Sequence, residues 1–179
     1  PQLVILPGTK ATVADLEALR DAGLDEAVKR AHEGGASVLG ICGGFQMLGE
    51  RIHAPGGVES EPGSVVEGLG LLPLSTTFAA EKTTVRSGGH VEGSAGAWQA
   101  AAGATVEGYE IHMGTTEGEA RPLLTLNGHA DGAISEDGRV AGTYLHGLFH
   151  NDALRHALLN GLGRRETAPR AFDREREFD

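Results

Sequence analysis

The stretch Ser37-Val-Leu-Gly-Ile-Cys42-Gly-Gly-Phe-Gln46-Met-Leu-Gly-Glu-Arg-Ile52 decides the fold of this chain. Its apolar run from Val38 to Ile41 predicts a buried strand, and the helical spacing of apolar residues from Phe45 to Ile52 predicts a helix directly after it. The only cysteine therefore lies on a strand-to-helix turn, which is the layout of a nucleophile elbow.

Cys42 is a candidate nucleophile because of its neighbours. Gly40, Gly43 and Gly44 would permit the strained backbone and the close strand-to-helix contact that an elbow needs. The positive end of the helix dipole would favour a thiolate, and the N–H groups there could hold an oxyanion. The plainer interpretation is an ordinary buried cysteine. The glycines and a histidine at the end of a later strand favour the nucleophile.

The composition narrows the class of protein. A chain of 179 residues is long enough for one domain with a full core. The net charge of −10, without clustered Lys and Arg, argues against nucleic-acid binding. The sequence contains no long apolar run and no leader, so we expect no membrane contact and a cytoplasmic location. A single cysteine excludes an internal disulfide and fits a reducing compartment.

The remaining pattern predicts an α/β protein. A buried strand at Leu3 to Leu6 ends in the turn Pro7 to Lys10, and helices follow from Thr12, as a cap, to Arg20 and from Leu24 to His32. The segment after Ile52, from His53 to Gly70, is expected to be loop. Later strands, which could form an antiparallel extension, are predicted at Leu71 to Phe78, Thr83 to Val91, Ala104 to His112, Pro122 to Asn127 and Arg139 to Leu145. A last helix covers Asp152 to Asn160, which gives one domain over 1–163 and a charged tail over 164–179.

His146 is the best candidate for the base. It ends a strand, as Cys42 does, and the carboxyl ends of parallel strands share one rim of a sheet. His112 also ends a predicted strand and is the competitor. His146 and His150 have the spacing of a helical zinc site, but Gly147 and the strand context argue against one helix, so we expect no metal site.

Three other residues complete the predicted site. Gln46 lies one helical turn after Cys42, so its amide can point into the same pocket, although a solvated Gln is equally compatible with the spacing. The backbone N–H groups of Gly8 and Gly43, one from each turn at the rim, are the candidate oxyanion donors.

These residues resemble a known family. Gly40-Ile-Cys42-Gly-Gly44-Phe-Gln46 is similar to the G-x-C-x-G-x-Q motif of class I glutamine amidotransferases. Four ordered motifs together resemble the glutaminase domain of cobyric acid synthases: Leu6-Pro-Gly-Thr-Lys-Ala-Thr-Val-Ala-Asp-Leu16, Gly40 to Gly49, Gly108-Tyr-Glu-Ile-His-Met-Gly114 and Gly142-Thr-Tyr-Leu-His-Gly-Leu-Phe149.

The resemblance implies a flavodoxin-like core, a mostly parallel sheet with helices on both faces, and hydrolysis of glutamine with Cys42 as nucleophile and His146 as acid and base. Gln46 would hold the glutamine, and we assign Glu110 and His112 to substrate binding as well. The ammonia would serve an ATP-dependent domain that amidates corrinoid carboxylates in cobalamin biosynthesis. We expect no cofactor in this chain, with ATP and Mg²⁺ confined to that synthetase domain.

The chain departs from the family pattern at two positions. Most class I members carry Glu two residues after the histidine, and here that position is Leu148, so we expect a Cys-His dyad or an acid from elsewhere, with Glu110 as the candidate. Ala54 stands where the family usually has Asp.

The resemblance also implies that a strand-helix-strand unit and the synthetase domain normally precede Leu3. We therefore expect an exposed sheet edge near Leu3 to Leu6 and a tendency to form homo-oligomers there. Two other functions remain open. One is a cysteine-nucleophile α/β hydrolase of the dienelactone type, which shares the G-x-C-x-G elbow. The other is a noncatalytic binding or assembly module with an inert Cys42.

Overall fold

A computed structural model describes residues 1–163 and shows an α/β fold, while the predicted charged tail over 164–179 lies outside the described residues. Four α-helices are present in this part of the chain: α1 (Thr12–Asp21), α2 (Leu24–Glu33), α3 (Gly43–Leu48) and α4 (Asp152–Gly161). The strands are β1 (Leu3–Leu6), β2 (Ser37–Ile41), β3 (Arg51–Ala54), β4 (Ser64–Glu67), β5 (Leu74–Val91), β6 (Thr105–Gly118), β7 (Leu124–Leu126), β8 (His129–Asp131), β9 (Ala133–Ile134), β10 (Val140–Thr143) and β11 (Leu145–His146). Short 3-10 helices cover Gly96–Ala101 and Leu148–His150.

The smaller of two sheets contains β2, the strand that directly precedes Cys42. Its strand order is β1-β2-β10-β9, in which β1, β2 and β10 are parallel and β9 is antiparallel to β10. The apolar runs predicted as strands at Leu3 to Leu6 and Val38 to Ile41 are therefore confirmed, and so is their parallel pairing through α1 and α2.

Helices cover both faces of this sheet, as predicted. Successive residues of β2 point to opposite faces, so Val38 joins a core with α1, α2 and α3, whereas Leu39 joins a second core with α4. On β10, Val140 belongs to the first of these cores and Ala141 to the second. A strand buried on both sides needs an uninterrupted apolar run, which explains why Val38 to Ile41 does not alternate with polar residues.

Glycines let α3 lie directly on the parallel strands. A Cβ at Gly44 would overlap the carbonyl group of Leu6, and a Cβ at Gly40 would stand 2.5 Å from the carbonyl oxygen of Gly44. On β10, a Cβ at Gly142 would overlap the ring of Phe45. Only glycine permits these contacts, so the glycines on either side of Cys42 are required by packing.

The larger sheet is mostly antiparallel and contains more strands than the smaller one. Its main path is β11-β6-β5-β3-β4, with β7 beside β5 and β8 beside β7. The predicted antiparallel extension is present, but the strands expected at 71–78 and 83–91 are one long strand, β5, whose register with β6 shifts between Thr77 and Lys82. The parallel arrangement expected for most of the sheet is confined to three strands of the smaller sheet and the pair β3 and β5.

Three local predictions are wrong. The helix expected to continue to Ile52 ends at Leu48, because Ile52 belongs to β3, where it is fully buried. The segment expected to be loop contains the second half of β3 and the whole of β4, which pair with each other. Thr12 does not cap α1, because Ala11 holds the cap position and Thr12 is buried in the first turn.

β1 is an edge strand of the smaller sheet, which confirms the exposed edge expected at Leu3 to Leu6. Its outer side, together with α1 and α2, lines an apolar groove of about 780 Å³. Ile5 and Leu24 are 43% and 50% exposed there, unusually high values for large aliphatic side chains. Self-association through this edge stays a prediction.

The contact of α3 with β1 yields the first testable prediction. Gly44→Ala should lower the free energy of unfolding by about 3 kcal/mol, since the added methyl group overlaps the backbone of Leu6 in a packed core. Urea denaturation followed by circular dichroism measures the change. Gly56→Ala is the matched control, because no atom lies within 4 Å of the Cβ position there. Equal unfolding midpoints for the two variants would contradict the packing argument.

Candidate active site

Cys42 stands on a strained turn between β2 and α3. Its φ of 52° and ψ of −113° are rare for a residue with a side chain, and it is the residue that precedes the first turn of α3. The Cys42 amide donates to the Thr143 carbonyl on β10, and the thiol lies 3.2 Å from the Ile111 carbonyl oxygen on β6. The predicted elbow is therefore present, with the thiol between the two sheets.

The structure brings His146 and Cys42 to the two sides of Gly8. His146 ends β11, which pairs with β6, and Gly8 follows β1. A Cβ at Gly8 would stand 3.0 Å from Cε1 of His146 and 3.4 Å from Cβ of Cys42. The missing side chain at Gly8 thus leaves an open space next to both Cys42 and His146.

A cleft of about 410 Å³ opens over these residues. The turn after β1 and the start of α1 form one part of its wall, with Cys42 and α3 beside them. Strands β5, β6 and β11 and the loop between β3 and β4 form the rest. The residues that line it are Gly8, Thr9, Lys10, Thr12, Cys42, Gln46, Glu59, Phe78, Ile111, His112, Met113 and His146. A cavity of this size is within the range of small-molecule sites.

Gln46 is a fixed part of the cleft wall. It is 4% exposed; Thr12 donates to its Oε1 at 3.2 Å, and its Nε2 donates to the Met113 carbonyl and the Tyr144 hydroxyl, both at 3.3 Å. The alternative of a solvated Gln46 is therefore wrong. Burial raises the pKa of Tyr144 to about 12, so its hydroxyl keeps its proton near neutral pH and hydrogen-bonds Thr116.

His112 lies in the cleft and Glu110 lies behind it. The Nδ1 of His112 is 2.9 Å from the Gly114 carbonyl oxygen, and its Nε2 is 3.3 Å from Oε1 of Glu110. Glu110 also contacts Ser87 and His129, and it lines a second, polar cavity of about 310 Å³. The Glu110 carboxylate thus hydrogen-bonds His112, and the suggestion that Glu110 assists His146 stays a prediction.

The second cavity contains another buried acid. Asp131 accepts hydrogen bonds from the Thr143 hydroxyl and the Tyr144 amide. Burial raises the pKa of the Asp131 carboxyl. His112 and Tyr144 line this cavity, their rings 4.5 Å apart at an angle of 32°, and His112 also lines the cleft of Cys42.

The candidate oxyanion donors are the backbone N–H groups of Gly8 and Gly43. Gly8 and Gly43 belong to the two turns that meet at the rim, and Gly43 is the first residue of α3. Within residues 1–163, neither backbone N–H donates to another group of the chain. Both N–H groups are therefore available to a ligand in the cleft, and their use by an oxyanion stays a prediction.

Sequence reasoning missed three residues of the site. Thr12 was predicted only as a helix cap, although its hydroxyl contacts Gln46. Tyr144 was placed within a strand, without its contacts to the amide of Gln46 and the ring of His112. Glu59 was placed in a loop and given no role, because no sequence pattern relates it to Cys42. Leu148, at the position where class I members have Glu, is buried in the core.

Comparison with known families identifies the chain. Residues 1–154 match the family described as the CobB/CobQ-like glutamine amidotransferase domain. The chain belongs to this family. The resemblance drawn from the four sequence motifs is thereby confirmed.

Curated members of this enzyme family are similar to the chain over most of its length. A cobyric acid synthase of Dehalococcoides mccartyi is 41% identical, and the match covers 100% of this chain and 38% of that protein. Those of Allorhizobium ampelinum and Brucella canis are 49% and 50% identical, each over 90% of this chain and 32% of the relative. The amidotransferase domain thus spans about a third of the length of these relatives.

Solved structures support the fold. PurLQS from Thermotoga maritima has a TM-score of 0.62 at 19% identity and covers 90% of this chain and 80% of that chain. A glutamine amidotransferase has a TM-score of 0.57, also at 19% identity, covering 91% and 80%. The predicted flavodoxin-like α/β fold of class I amidotransferases is confirmed.

Residues 1–163 contain neither a metal-binding cluster nor a membrane-spanning helix. Within these residues no three His, Cys, Asp or Glu side chains are arranged to hold a metal ion. In the same part of the chain, no helix has the length and apolar character needed to cross a membrane.

The hydrogen bonds of Gln46 yield a stability prediction for the amidotransferase domain. Gln46→Leu should lower the free energy of unfolding by about 2 kcal/mol, since the buried hydroxyl of Thr12 and the carbonyl of Met113 lose a partner. Urea denaturation measures the loss. Gln99→Leu, at an exposed position on a 3-10 helix, is the control and should change stability little. A Gln46→Leu protein as stable as Gln99→Leu would contradict the assigned network.

Proposed function

We propose that this domain hydrolyses glutamine to glutamate and ammonia, with Cys42 as nucleophile and His146 as general acid and base. The observation that carries the proposal is the strained Cys42, which lines one cleft with His146 and lies next to Gly8 as His146 does. The membership of the chain in an amidotransferase family supports the same assignment.

The first half-reaction forms a thioester. His146 takes the proton of the Cys42 thiol, and the thiolate attacks the side-chain amide carbon of glutamine. The carbonyl oxygen becomes an oxyanion, and the N–H groups of Gly8 and Gly43 are placed to donate to it. His146 then gives its proton to the amide nitrogen, the C–N bond breaks, and ammonia leaves.

The second half-reaction restores the enzyme. His146 takes a proton from a water molecule, whose oxygen attacks the thioester carbon. Collapse of the second tetrahedral intermediate breaks the C–S bond and releases glutamate, and His146 returns its proton to the sulfur of Cys42. Leu148 stands at the position of the usual Glu, so the proposed chemistry uses a dyad of Cys42 and His146.

We further propose that the ammonia serves an ATP-dependent synthetase region of a longer protein. The named relatives are cobyric acid synthases, about three times as long as the matched region. A corrinoid carboxylate is then the acceptor, and ATP and Mg²⁺ belong to the synthetase region.

Two alternatives are less well supported. A dienelactone-type hydrolase shares the elbow, but residues 1–154 match an amidotransferase domain family. A noncatalytic module predicts an inert Cys42, so the labelling experiment below separates it from the proposed glutaminase.

The glutaminase proposal is tested by labelling Cys42. A glutamine-mimicking electrophile should label the chain faster than a generic thiol reagent of equal intrinsic reactivity, because the cleft recognises the amino acid. Intact mass spectrometry suffices, since the chain has one cysteine. Cys42→Ser should abolish both the labelling and the release of ammonia from glutamine. Equal rates for the two reagents would favour the inert-cysteine alternative.

Gly8 provides an independent test of the dyad. In Gly8→Ala the new methyl group stands 3.0 Å from the imidazole of His146, so the ring must shift by a few tenths of an ångström. A displacement of this kind should lower kcat by about tenfold. Thermal unfolding should change little, since Gly8 is exposed. Gly56→Ala should keep full activity, and normal turnover in Gly8→Ala would contradict the assigned geometry.

A further inference from the structure

The proposed glutaminase must distinguish free glutamine from other carboxamides, and Glu59 lies where it can do so. Glu59 belongs to the loop between β3 and β4 and lines the cleft of Cys42. Among the residues that the structure describes, it contributes the only Asp or Glu carboxylate to the lining of that cleft. Free glutamine differs from a plain carboxamide by its α-ammonium and α-carboxylate groups, so a carboxylate in the wall is the group that would recognise the ammonium.

One of the two oxygens of the Glu59 carboxylate is hydrogen-bonded within the chain. Its Oε2 accepts a hydrogen bond of 3.2 Å from the backbone N–H of Val13, in the first turn of α1. Its Oε1 accepts none from the other residues of the described chain. The first turn of α1 therefore holds the carboxylate in place through Oε2, and Oε1 is left without a hydrogen bond from the described residues.

The backbone at Glu59 is strained in the same way as at Cys42. Among the described residues, only Cys42, Glu59 and Asn127 have positive φ without being glycine, and φ is 62° at Glu59. Asn tolerates this region, whereas Glu does so rarely. Two of the three strained residues thus line one cleft. Such strain persists where the surroundings fix a side chain for a purpose, which supports a function for Glu59.

Contacts link Glu59 to the helix that follows Cys42. Glu59 bonds to Val13, the neighbouring Thr12 bonds to Gln46, and Gln46 lies four residues after Cys42 on α3. One helical turn rises about 5.4 Å. The α-carbon of glutamine lies about 4 Å from its amide carbon when the side chain is extended, given bond lengths of about 1.5 Å. A glutamine with its amide carbon at Cys42 would therefore span most of the helical turn that leads to Gln46.

Lys10 supplies the opposite charge at the cleft. It follows Gly8 and Thr9 on the turn after β1, it is exposed, and it forms no ion pair with the rest of residues 1–163. We propose that Glu59 accepts the α-ammonium group of glutamine and that Lys10 attracts its α-carboxylate, so that the cleft selects an α-amino acid. This inference rests on the proposed glutaminase activity and adds the residues that set its specificity.

Paired substrates and variants of the full chain test this proposal. Glutaramate is glutamine without the α-amino group, and it keeps both the carboxylate and the carboxamide. The unmodified chain should release ammonia from glutamine with a kcat/KM about tenfold to a hundredfold above that for glutaramate, in line with one charge-assisted hydrogen bond. Equal kcat/KM values for the two substrates would overturn the proposal without any variant.

Glu59→Gln removes the charge and keeps an oxygen that can accept from Val13. It should abolish most of the preference for glutamine by raising KM for glutamine, with KM for glutaramate and the unfolding midpoint almost unchanged. Lys10→Gln should raise KM for both substrates by similar factors, since both carry the carboxylate. Glu61→Gln, an exposed residue of the same loop, is the matched control and should alter neither substrate.

The possible outcomes separate the two hypotheses. If Glu59→Gln lowers stability but leaves the preference for glutamine intact, Glu59 only holds the loop against α1 and the proposal is wrong. If the unmodified chain neither releases ammonia from glutamine nor is labelled at Cys42 by its electrophilic mimic, the glutaminase function itself is wrong, and the assignment of Glu59 is overturned with it.

Discussion

The direct contact of α3 with the parallel strands is the constraint on which the site depends. Gly40 on β2 and Gly44 on α3 have no side chain, so α3 can approach β2 and β1 closely. Gly142 on β10 leaves room for the Phe45 ring. With the helix this close, the chain has to turn from strand to helix at one residue. Cys42 takes that position at a φ of 52°, and the packing around it holds the thiol toward the cleft.

The larger sheet supplies the other residues around Cys42. β6 supplies the carbonyl that faces the thiol, as well as the ring of His112, while β11 supplies His146. Tyr144 lies between β10 and β11, and its ring contacts Phe45 at a centroid distance of 5.2 Å. Its hydroxyl reaches Gln46, so one buried side chain connects both sheets and α3.

The sequence predicts this site well where short-range patterns decide it. The apolar run of β2, the flanking glycines and the strand-ending His146 all depend on neighbours in the chain, and each was placed correctly. Ile52 was misplaced because helical spacing and burial in β3 both suit an isoleucine. Glu59 and Glu110 could not be placed, since their partners lie 46 residues away for Glu59 and on three different strands for Glu110.

The change of sheet at Tyr144 has a consequence for control of the enzyme. Thr143 is the last residue of the smaller sheet and Leu145 the first of β11 in the larger one, so Cys42, after β2, and His146, at the end of β11, belong to separate layers. Their alignment then depends on how the layers sit against each other. A partner that bound only the larger sheet and shifted it by a fraction of an ångström would change turnover without touching Cys42 or His146, which is allosteric coupling in its thermodynamic sense.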